Sequence, residues 1–396
     1  MSLNATPMAE RLHIGIFGKR NAGKSSLINA LTDQDLAIVS DVAGTTTDPV
    51  SKAMELLPLG PVVLIDTPGL DDVGELGMQR VRKALQVMHK CDMAIVVIDA
   101  LEGQTDEHTQ LIERLTAKKI PYLIAMNQCD LLSEKPTDTE TIRFVSAKTK
   151  EGIHELKEQL ARLVPSGETD KHIVSDLLSP GDFVVLVVPI DSAAPKGRLI
   201  LPQQQTIRDI LDCGACAIVC RDTELADTLH KLGQPPRMVI TDSQAFGSVS
   251  KIVPKSVPLT SFSILFARYK GSLTQTVDGV RALDRLQDGD TVLISEGCTH
   301  HRQCNDIGTV KLPHWITEYT GKDLHFAFTS GGAFPDDLSP YQLVVHCGGC
   351  MLNEREMKYR LSYAEAYRIP MTNYGILISY IHGILGRSVQ PLGITL

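Results

Sequence analysis

The chain has 396 residues, with 39 Lys and Arg against 47 Asp and Glu and a formal net charge of -8, long enough for two or three units with separate cores. No stretch gathers five or six basic residues, so tight sequence-independent binding to nucleic acid, which needs phosphate neutralisation, is disfavoured. Nine cysteines, an odd number in a chain read as intracellular, point to metal or redox chemistry rather than to a disulfide framework.

The amino-terminal MSLNATPMAERLHIGIFG carries no basic segment followed by a long apolar core, so the expected location is the cytoplasm. Apolar runs such as 62–65 and 183–189 are strand-sized, far short of the ~20 residues that cross a bilayer, and no membrane partner is expected. Over the first 165 residues HIGIF, SSLINAL, PVVLID, MQRVRKALQVM, MAIVVIDA, HTQLIERLTAK, PYLIAMN, IRFVSA and HELKEQLARLV alternate strand and helix patterns. That alternation predicts an α/β domain with a mainly parallel sheet covered by helices.

The polar SGETDKHIVSDLLSPGD reads as a linker. A second small α/β unit follows, with strands FVVLVVPI, ACAIVC and RMVIT and helices QQTIRDILD and ELADTLHKLG. A third begins near residue 272 with a helical VDGVRALDRLQ, a strand TVLISEG, a helix LPHWITEYTG, a strand YQLVVH and a long helical tail. No internal repeat and no low-complexity tract stands out.

Gly18-Lys19-Arg20-Asn21-Ala22-Gly23-Lys24-Ser25 fits GxxxxGK[ST] between a strand and a helix. Glycines let backbone N–H groups close around phosphate oxygens at a helix N-terminus, Lys24 reaches the β and γ phosphates, and Ser25 ligates Mg²⁺. The phosphate-binding set is Gly18, Asn21, Ala22, Gly23, Lys24, Ser25 and Ser26. Asp66-Thr67-Pro68-Gly69 ends another strand, where Asp66 can hold Mg²⁺ through water and the Gly69 N–H can sense the γ phosphate.

Asn127-Gln128-Cys129-Asp130 resembles the NKxD element of GTPases, and Ser146-Ala147-Lys148 resembles their SAK loop; the Asp130 carboxylate accepts from guanine donors that adenine lacks. Gln128 stands where the usual lysine does, which predicts retained GTP preference with looser binding. Gly44-Thr45-Thr46-Thr47-Asp48 resembles the GTTRD switch of TrmE- and Era-like GTPases, making Thr46 a Mg²⁺ ligand by position, with Thr47 in place of that group's arginine. Leu70 stands where Ras-like enzymes carry the glutamine that orients water, so intrinsic hydrolysis is expected to be slow. By resemblance to TrmE, Asn21 would hold a K⁺ ion that neutralises charge developing between phosphates; a plain turn role is the alternative.

Cys298-Thr299-His300 sits just beyond one strand and His346-Cys347-Gly348-Gly349-Cys350 just beyond another. Two parallel strands ending side by side would gather these groups at the carboxyl edge of a sheet, where α/β proteins place their sites. Gly348 and Gly349 make the tight turn that lets Cys347 and Cys350 face one centre. From spacing alone, zinc in a closed tetrahedral site and a [4Fe-4S] cluster on three thiolates are equally compatible. Cys304 reads as a nearby structural cysteine, and Cys213, Cys216 and Cys220 as core packing on a strand.

The CxH…HCxxC pattern after a P-loop domain resembles the HydF family of [FeFe]-hydrogenase maturation GTPases, and Ala194-Pro195-Lys196-Gly197-Arg198-Leu199-Ile200-Leu201-Pro202-Gln203-Gln204 looks like a signature of that family. The resemblance implies a GTP-binding domain over 1–168, a dimerisation domain over 180–262 and a [4Fe-4S]-binding domain over 270–396. It also implies cluster ligands Cys298, Cys347 and Cys350, with His300 or His346 at or near the fourth site. The implied role is a GTP-hydrolysing scaffold or carrier for the di-iron subcluster of [FeFe]-hydrogenase. Homodimers, radical-SAM maturation enzymes and the apo-hydrogenase are the implied partners. The competing reading is a TrmE- or Era-like GTPase in RNA modification or ribosome assembly with a structural zinc domain; a third is a nucleotide-regulated interaction protein with structural cysteines.

Overall fold

The structure, a computed structural model, describes residues 6–32, 49–69, 74–164, 171–190, 199–297 and 306–396, and within the helix over 74–87 it describes no side chains for 74–76 and 78–80. Thr46, Thr47, Leu70, residues 194–198, Cys298, His300 and Cys304 therefore lie outside the described residues. The chain divides into two compact units, 1–169 and 170–396.

The first unit is built on β1 (Leu12–Gly18), β2 (Val50–Leu56), β3 (Gly60–Asp66), β4 (Met93–Asp99), β5 (Tyr122–Asn127) and β6 (Ile142–Phe144). They form a six-stranded sheet in the order β2-β3-β1-β4-β5-β6. Only β2 runs antiparallel to its neighbour, and its largely exposed VSKAMEL gives no burial pattern by which the sequence could announce it. Strands β1 and β4 are buried on both faces, as their near-continuous apolar runs require. Ile14 and Ile16 pack with α1 (Lys24–Thr32) and α4 (Ile153–Leu163), and Phe17 lies in the opposite core with α2 (Gly74–Val87) and α3 (Asp106–Ala117). Because β1, β3, β4, β5 and β6 are parallel, their carboxyl ends fall on one edge, and the described nucleotide motifs, at 18–25, 66–69, 127–130 and 146–148, sit there.

The second unit holds two parallel four-stranded sheets. One comprises β7 (Phe183–Val187), β8 (Cys216–Cys220), β9 (Met238–Thr241) and β10 (Leu259–Ser261), with α5 (Leu201–Asp212), α6 (Leu225–Leu232) and α7 (Phe246–Ile252) between its strands; the other comprises β11 (Thr291–Glu296), β12 (His325–Ser330), β13 (Leu343–His346) and β14 (Met371–Asn373), with α10 (Leu312–Thr320) between β11 and β12. Read in the same sense, the orders are β8-β7-β9-β10 and β12-β11-β13-β14, one topology used twice. The registers coincide as well. Phe183↔Cys216, Val184↔Met238 and Val239↔Leu259 in the first correspond to Thr291↔His325, Val292↔Leu343 and Val344↔Met371 in the second.

No internal repeat shows in the sequence; the structure contains one, and the matching residues are local. Leu178-Ser179-Pro180-Gly181-Asp182 and Leu286-Gln287-Asp288-Gly289-Asp290 lead into β7 and β11. Gly181 and Gly289 both adopt φ +86°, and Asp182 and Asp290 each accept a backbone N–H three residues earlier at 2.8 Å. Pro258-Leu259-Thr260-Ser261 and Pro370-Met371-Thr372-Asn373 end the two sheets. Ser261 and Asn373 then cap the next helices, α8 (Phe262–Lys270) and α12 (Tyr374–Ile381), through Ile264 and Ile376 N–H, as short polar N-caps do. The buried hydroxyls of Thr260 and Thr372 share a further trait: neither finds a partner among the described residues. Segments between these points differ in length and composition, which is why the repeat is invisible to a linear scan.

The repeats also exchange their last helices. Helix α9 (Leu273–Val280) follows the first repeat but packs on β14 of the second, while α13 (Leu385–Val389) follows the second and packs on β10 of the first. A Cβ added at Gly279 in α9 would meet the Met371 carbonyl oxygen at 2.1 Å, so only glycine permits that approach. Arg387 in α13 donates to the carbonyls of Val253, Pro254 and Val257 at 3.1, 2.6 and 3.1 Å, just ahead of β10. Helices α8 and α12 pack together, and one apolar core takes in Val185 and Val239 of the first sheet with Val292, Ile294 and Val345 of the second. Buried Val277 and Val280 of α9 each contribute on the order of 1.5–3 kcal/mol to that core. The ranges 180–262 and 270–396 expected from sequence thus lie within one compact unit.

Strands β10, β12 and β14 have no counterpart in the sequence reading, and the long helical tail is α11 (Glu354–Ala366), β14, α12 and α13. With three residues each, β10 and β14 are too short for an alternation to show, and Pro370 separates α11 from β14; β12 is a six-residue edge strand with no buried residue and no two-residue period of burial. Strand β8 is a sheet edge. Cys213 and Cys220 are half-buried and pack against the apolar cores as expected, whereas Cys216 on that edge is exposed, so the expected core packing fails for that residue alone.

Candidate functional site

In the first unit, the loop from β1 into α1 needs left-handed backbone at Asn21 (φ +59°) and Gly23 (φ +86°). A Cβ at Gly23 would also lie 2.2 Å from Asn127 Nδ2, so the second glycine of the motif is required twice over. Lys24 Nζ donates to the Gly18 and Lys19 carbonyls at 3.2 and 2.7 Å, which curls the loop around its ammonium. Ser25 Oγ donates to Asp66 Oδ2 at 2.8 Å, so two of the expected Mg²⁺-binding groups already adjoin. The other oxygen, Asp66 Oδ1, is buried and has no hydrogen-bond partner among the described residues, an acceptor that a hydrated cation would satisfy. Burial pushes the Asp66 carboxyl up, against the Ser25 hydrogen bond and the charge of Lys24.

Asn127 ties three motifs together. Its Nδ2 donates to the Ala22 carbonyl at 3.0 Å and its Oδ1 accepts from Ala147 N at 3.0 Å, so P-loop, base motif and SAK loop form one frame. Ser146 is buried, and its Oγ accepts from Thr149 N; Asp130 and Lys148 are exposed. Gln128 sits at φ +65° and donates through Nε2 to Asp99 Oδ2 at 3.0 Å. In this structure its side chain is engaged by the end of β4. Gly69, after the DTP turn, is buried at the same sheet edge.

In the second unit, Ser295 of β11 is in register with His346 of β13. The two motif-bearing strands therefore end together at a crevice where the strand order reverses, as expected for a site in such a sheet. Cys298 is outside the described residues, but its neighbour Gly297 donates its N–H to Cys347 Sγ at 3.0 Å. Gly349 N donates to the same sulfur at 3.4 Å. Gly349 is at φ +63°, and a Cβ there would meet Met357 Sδ at 2.6 Å, so the turn closes only with glycine.

Lys270, itself 3% exposed, donates to the carbonyls of Cys350 and Leu352 at 3.1 and 2.9 Å and holds the far side of the turn. Burial pushes the Cys347 thiol up to about 11 and also raises Cys350, where the Lys270 charge acts in the opposite direction. Both are thus neutral thiols without a cation, and a bound metal centre would displace their protons. Backbone N–H donors aimed at a cysteine sulfur suit a metal-bound thiolate. Among the described residues no group of three or more His, Cys, Asp or Glu is arranged to hold a metal; the described part of the motif supplies Cys347 and Cys350.

His346 is fully buried. Its Nδ1 lies 2.8 Å from the Cys347 carbonyl and its Nε2 3.0 Å from Arg360 Nη1. Burial, and then the Arg360 charge, push the imidazole down to about 3. Lys270 and Arg360 are the site residues that the sequence reading missed. The Glu356–Arg360 spacing of four was visible, but on a helix it reads as a surface pair.

Residues 173–271 match the family described as Hydrogen maturase F dimerization domain, and residues 274–391 match Hydrogen maturase F tetramerization domain. The chain belongs to the hydrogen maturase F family. Its first unit is a GTPase domain, with residues 13–128 matching the family described as 50S ribosome-binding GTPase, and it binds GTP with Mg²⁺. Similar proteins are the tRNA modification GTPase MnmE of Chromobacterium violaceum, 35% identical over 174 residues, 42% of this chain and 38% of that protein. Another is MnmE of Xanthomonas oryzae pv. oryzae, 40% identical over 162 residues, 39% and 34% of the two chains. GTPase Der of Maridesulfovibrio salexigens is 39% identical over 134 residues, 32% and 29%. The chain thus spans well under half the length of the curated relatives it matches. Among solved structures, Era in complex with MgGDPNP and 16S ribosomal RNA nucleotides is similar at 20% identity, over 53% of this chain and 92% of that one, with a TM-score of 0.36.

The two hydrogen maturase F matches meet between residues 271 and 274, at the start of α9. No helix among the described residues is long and apolar enough to cross a membrane.

Proposed function

We propose that this hydrogen maturase F chain is a GTP-hydrolysing scaffold that carries the di-iron subcluster precursor to apo [FeFe]-hydrogenase on a [4Fe-4S] cluster held by Cys298, Cys347 and Cys350. The observation that carries it is the Gly297 N–H to Cys347 Sγ bond, which ties the residue before Cys298 to the sulfur of the HCxxC turn. When bound, such a cluster supplies an iron whose fourth ligand can be exchanged. The chain's own part is to half-bury Cys347, aim two N–H donors at it, and hold the turn through Lys270.

In the GTPase domain, Lys24 neutralises the β and γ phosphates, Ser25 and Thr46 bind Mg²⁺ with Asp66 behind them, and the Gly69 N–H reads the γ phosphate. Asn21 holds K⁺, and hydrolysis acts as a conformational timer by releasing the switch segments around Thr46 and Gly69. The edge strand β8, with Val219 45% exposed, supports self-association as a homodimer. Radical-SAM maturation enzymes and apo-hydrogenase are the further partners, in the cytoplasm. The matches to tRNA-modification GTPases cover about two fifths of this chain and speak for the GTPase domain.

The test is hydrogenase activation by wild type beside Cys298→Ala, Cys347→Ala and Cys350→Ala, with visible and EPR spectra and a zinc assay after anaerobic reconstitution. All three variants fail to activate if the scaffold reading holds; full activation by any of them, or stoichiometric zinc in place of iron, overturns it. Hydrolysis rates that are equal in KCl and NaCl reject the K⁺ role of Asn21.

A further inference from the structure

Arg360 is the largest fully buried side chain among the described residues, 1% exposed. It lies on α11 beneath the carboxyl edge of the second repeat's sheet. Its guanidinium donates to Ser295 Oγ at 3.4 Å, on β11; to the Gly331 carbonyl at 3.0 Å, one residue past β12; and to His346 Nε2 at 3.0 Å, at the end of β13. Glu356, one helical turn earlier, accepts from Nη2 at 2.6 Å, and the Phe334 ring stacks 5.0 Å away. One rigid fork therefore joins the ends of three strands at the edge where the cysteine motif lies.

The chemistry of the pair fixes the imidazole. A guanidinium has donors only, so His346 Nε2 must accept, and a ring nitrogen that accepts carries no proton. The proton is then on Nδ1, which donates to the Cys347 carbonyl at 2.8 Å. A metal needs a lone pair on a ring nitrogen, and here one lone pair points at Arg360 while the other nitrogen bears hydrogen. Ligation by His346 would break both bonds and leave a buried guanidinium short of an acceptor.

Resting on the iron-sulfur reading above, we infer that Arg360 is the positioning residue of the cysteine turn, and that it holds His346 as a brace on the Cys347 backbone rather than as the fourth cluster ligand. The position equivalent to His346 in the first repeat is Thr241, which lies in register with Val187 as His346 does with Ser295. There the Thr241 hydroxyl donates to the Asp242 carbonyl at 3.3 Å, so the contact to the next carbonyl recurs, and what the repeat that carries the cysteines adds is an imidazole fixed by Arg360.

The experiment uses the full chain labelled with ¹⁵N-histidine. In the metal-free protein, long-range proton–nitrogen spectra report the His346 tautomer; protonated Nδ1 with bare Nε2 is expected, and the opposite tautomer overturns the inference. After anaerobic loading with iron and sulfide, pulsed EPR of the reduced cluster reports directly bound imidazole nitrogen. His346→Gln, which keeps an acceptor for Arg360, is expected to leave the nitrogen couplings and iron content unchanged; a coupling present in wild type and lost in this variant overturns the inference. Arg360→Met is combined with Glu356→Gln so that no lone buried charge opposes folding, and circular dichroism checks the fold. This double variant is expected to release the tautomer preference, which a purely structural ion pair would not do, and an unaltered His346 spectrum overturns the positioning role. A chain that takes up no cluster defeats the scaffold reading, while the metal-free tautomer still decides the role of Arg360.

Discussion

The two repeats of the second unit share strand order, register, the glycine–aspartate entry turn and the capped helix after the last strand, yet they differ at the crevice where their strand order reverses. In the second, Cys347 follows β13 and receives backbone N–H groups from Gly297 and Gly349. In the first, the equivalent position after β9 is Asp242, which accepts from Gln203 Nε2 at 2.8 Å while Gln203 Oε1 accepts from Ile200 N at 3.1 Å. One crevice is bridged by its own side chains; the other presents sulfur held by a buried guanidinium and a buried ammonium. The same backbone thus serves as plain architecture or as a metal-site frame, and a few residues at the strand ends decide which.

The widest effect should come from the exchanged helices. Ending the chain after Gly383 removes α13, and hydrogen exchange should show β9 and β10 of the first repeat losing protection while the GTPase unit is untouched; a loss confined to the second repeat would mean the exchange is incidental. Next, Cys347→Ser should abolish iron and sulfide uptake while Asp242→Asn, its counterpart, leaves uptake at the wild-type level, measured by metal analysis after reconstitution. Equal losses would break the distinction between the crevices.

Smaller in scale, Glu356→Leu leaves Arg360 buried with one partner fewer and should cost about 3–5 kcal/mol in the second unit. Breaking the exposed Arg208–Asp212 pair of the first repeat should have no measurable effect in the same denaturation assay. Smallest is a pH effect. His346 has a folded value of about 3 against an ordinary 6.5, so its contribution is complete above 6.5 and is lost as pH falls towards 3. Between pH 7.5 and pH 5 the second repeat should lose about 2 kcal/mol of stability in the metal-free protein. His346→Gln should remove that dependence, as read by hydrogen exchange of β13 amides corrected for intrinsic rate.

Much of the nucleotide site is legible in sequence because each motif is a short stretch whose chemistry depends on adjacent residues. Gly23 must be glycine for a local reason, its φ, and for a tertiary one, Asn127. The cysteine turn is legible in the same way. The groups that hold it are not: Lys270 reaches it from a helix 80 positions earlier, and Arg360, although on the next helix, is a charged residue that reads as solvated until its burial is known. Cys216 errs in the other direction: its apolar-looking strand reads as core, but a place at the sheet edge leaves that residue exposed.

Sequence alone determined the chemistry available to this chain, namely a phosphate loop, guanine-reading motifs and thiols spaced for one centre, since these depend on residue type at short range. Tertiary structure alone decided that two stretches with little in common fold as the same sheet, trade their final helices and share a core, and that, among the described residues, only the second places a buried arginine behind its strand ends. Packing acts between residues far apart in the chain, and no local pattern records which partners will meet.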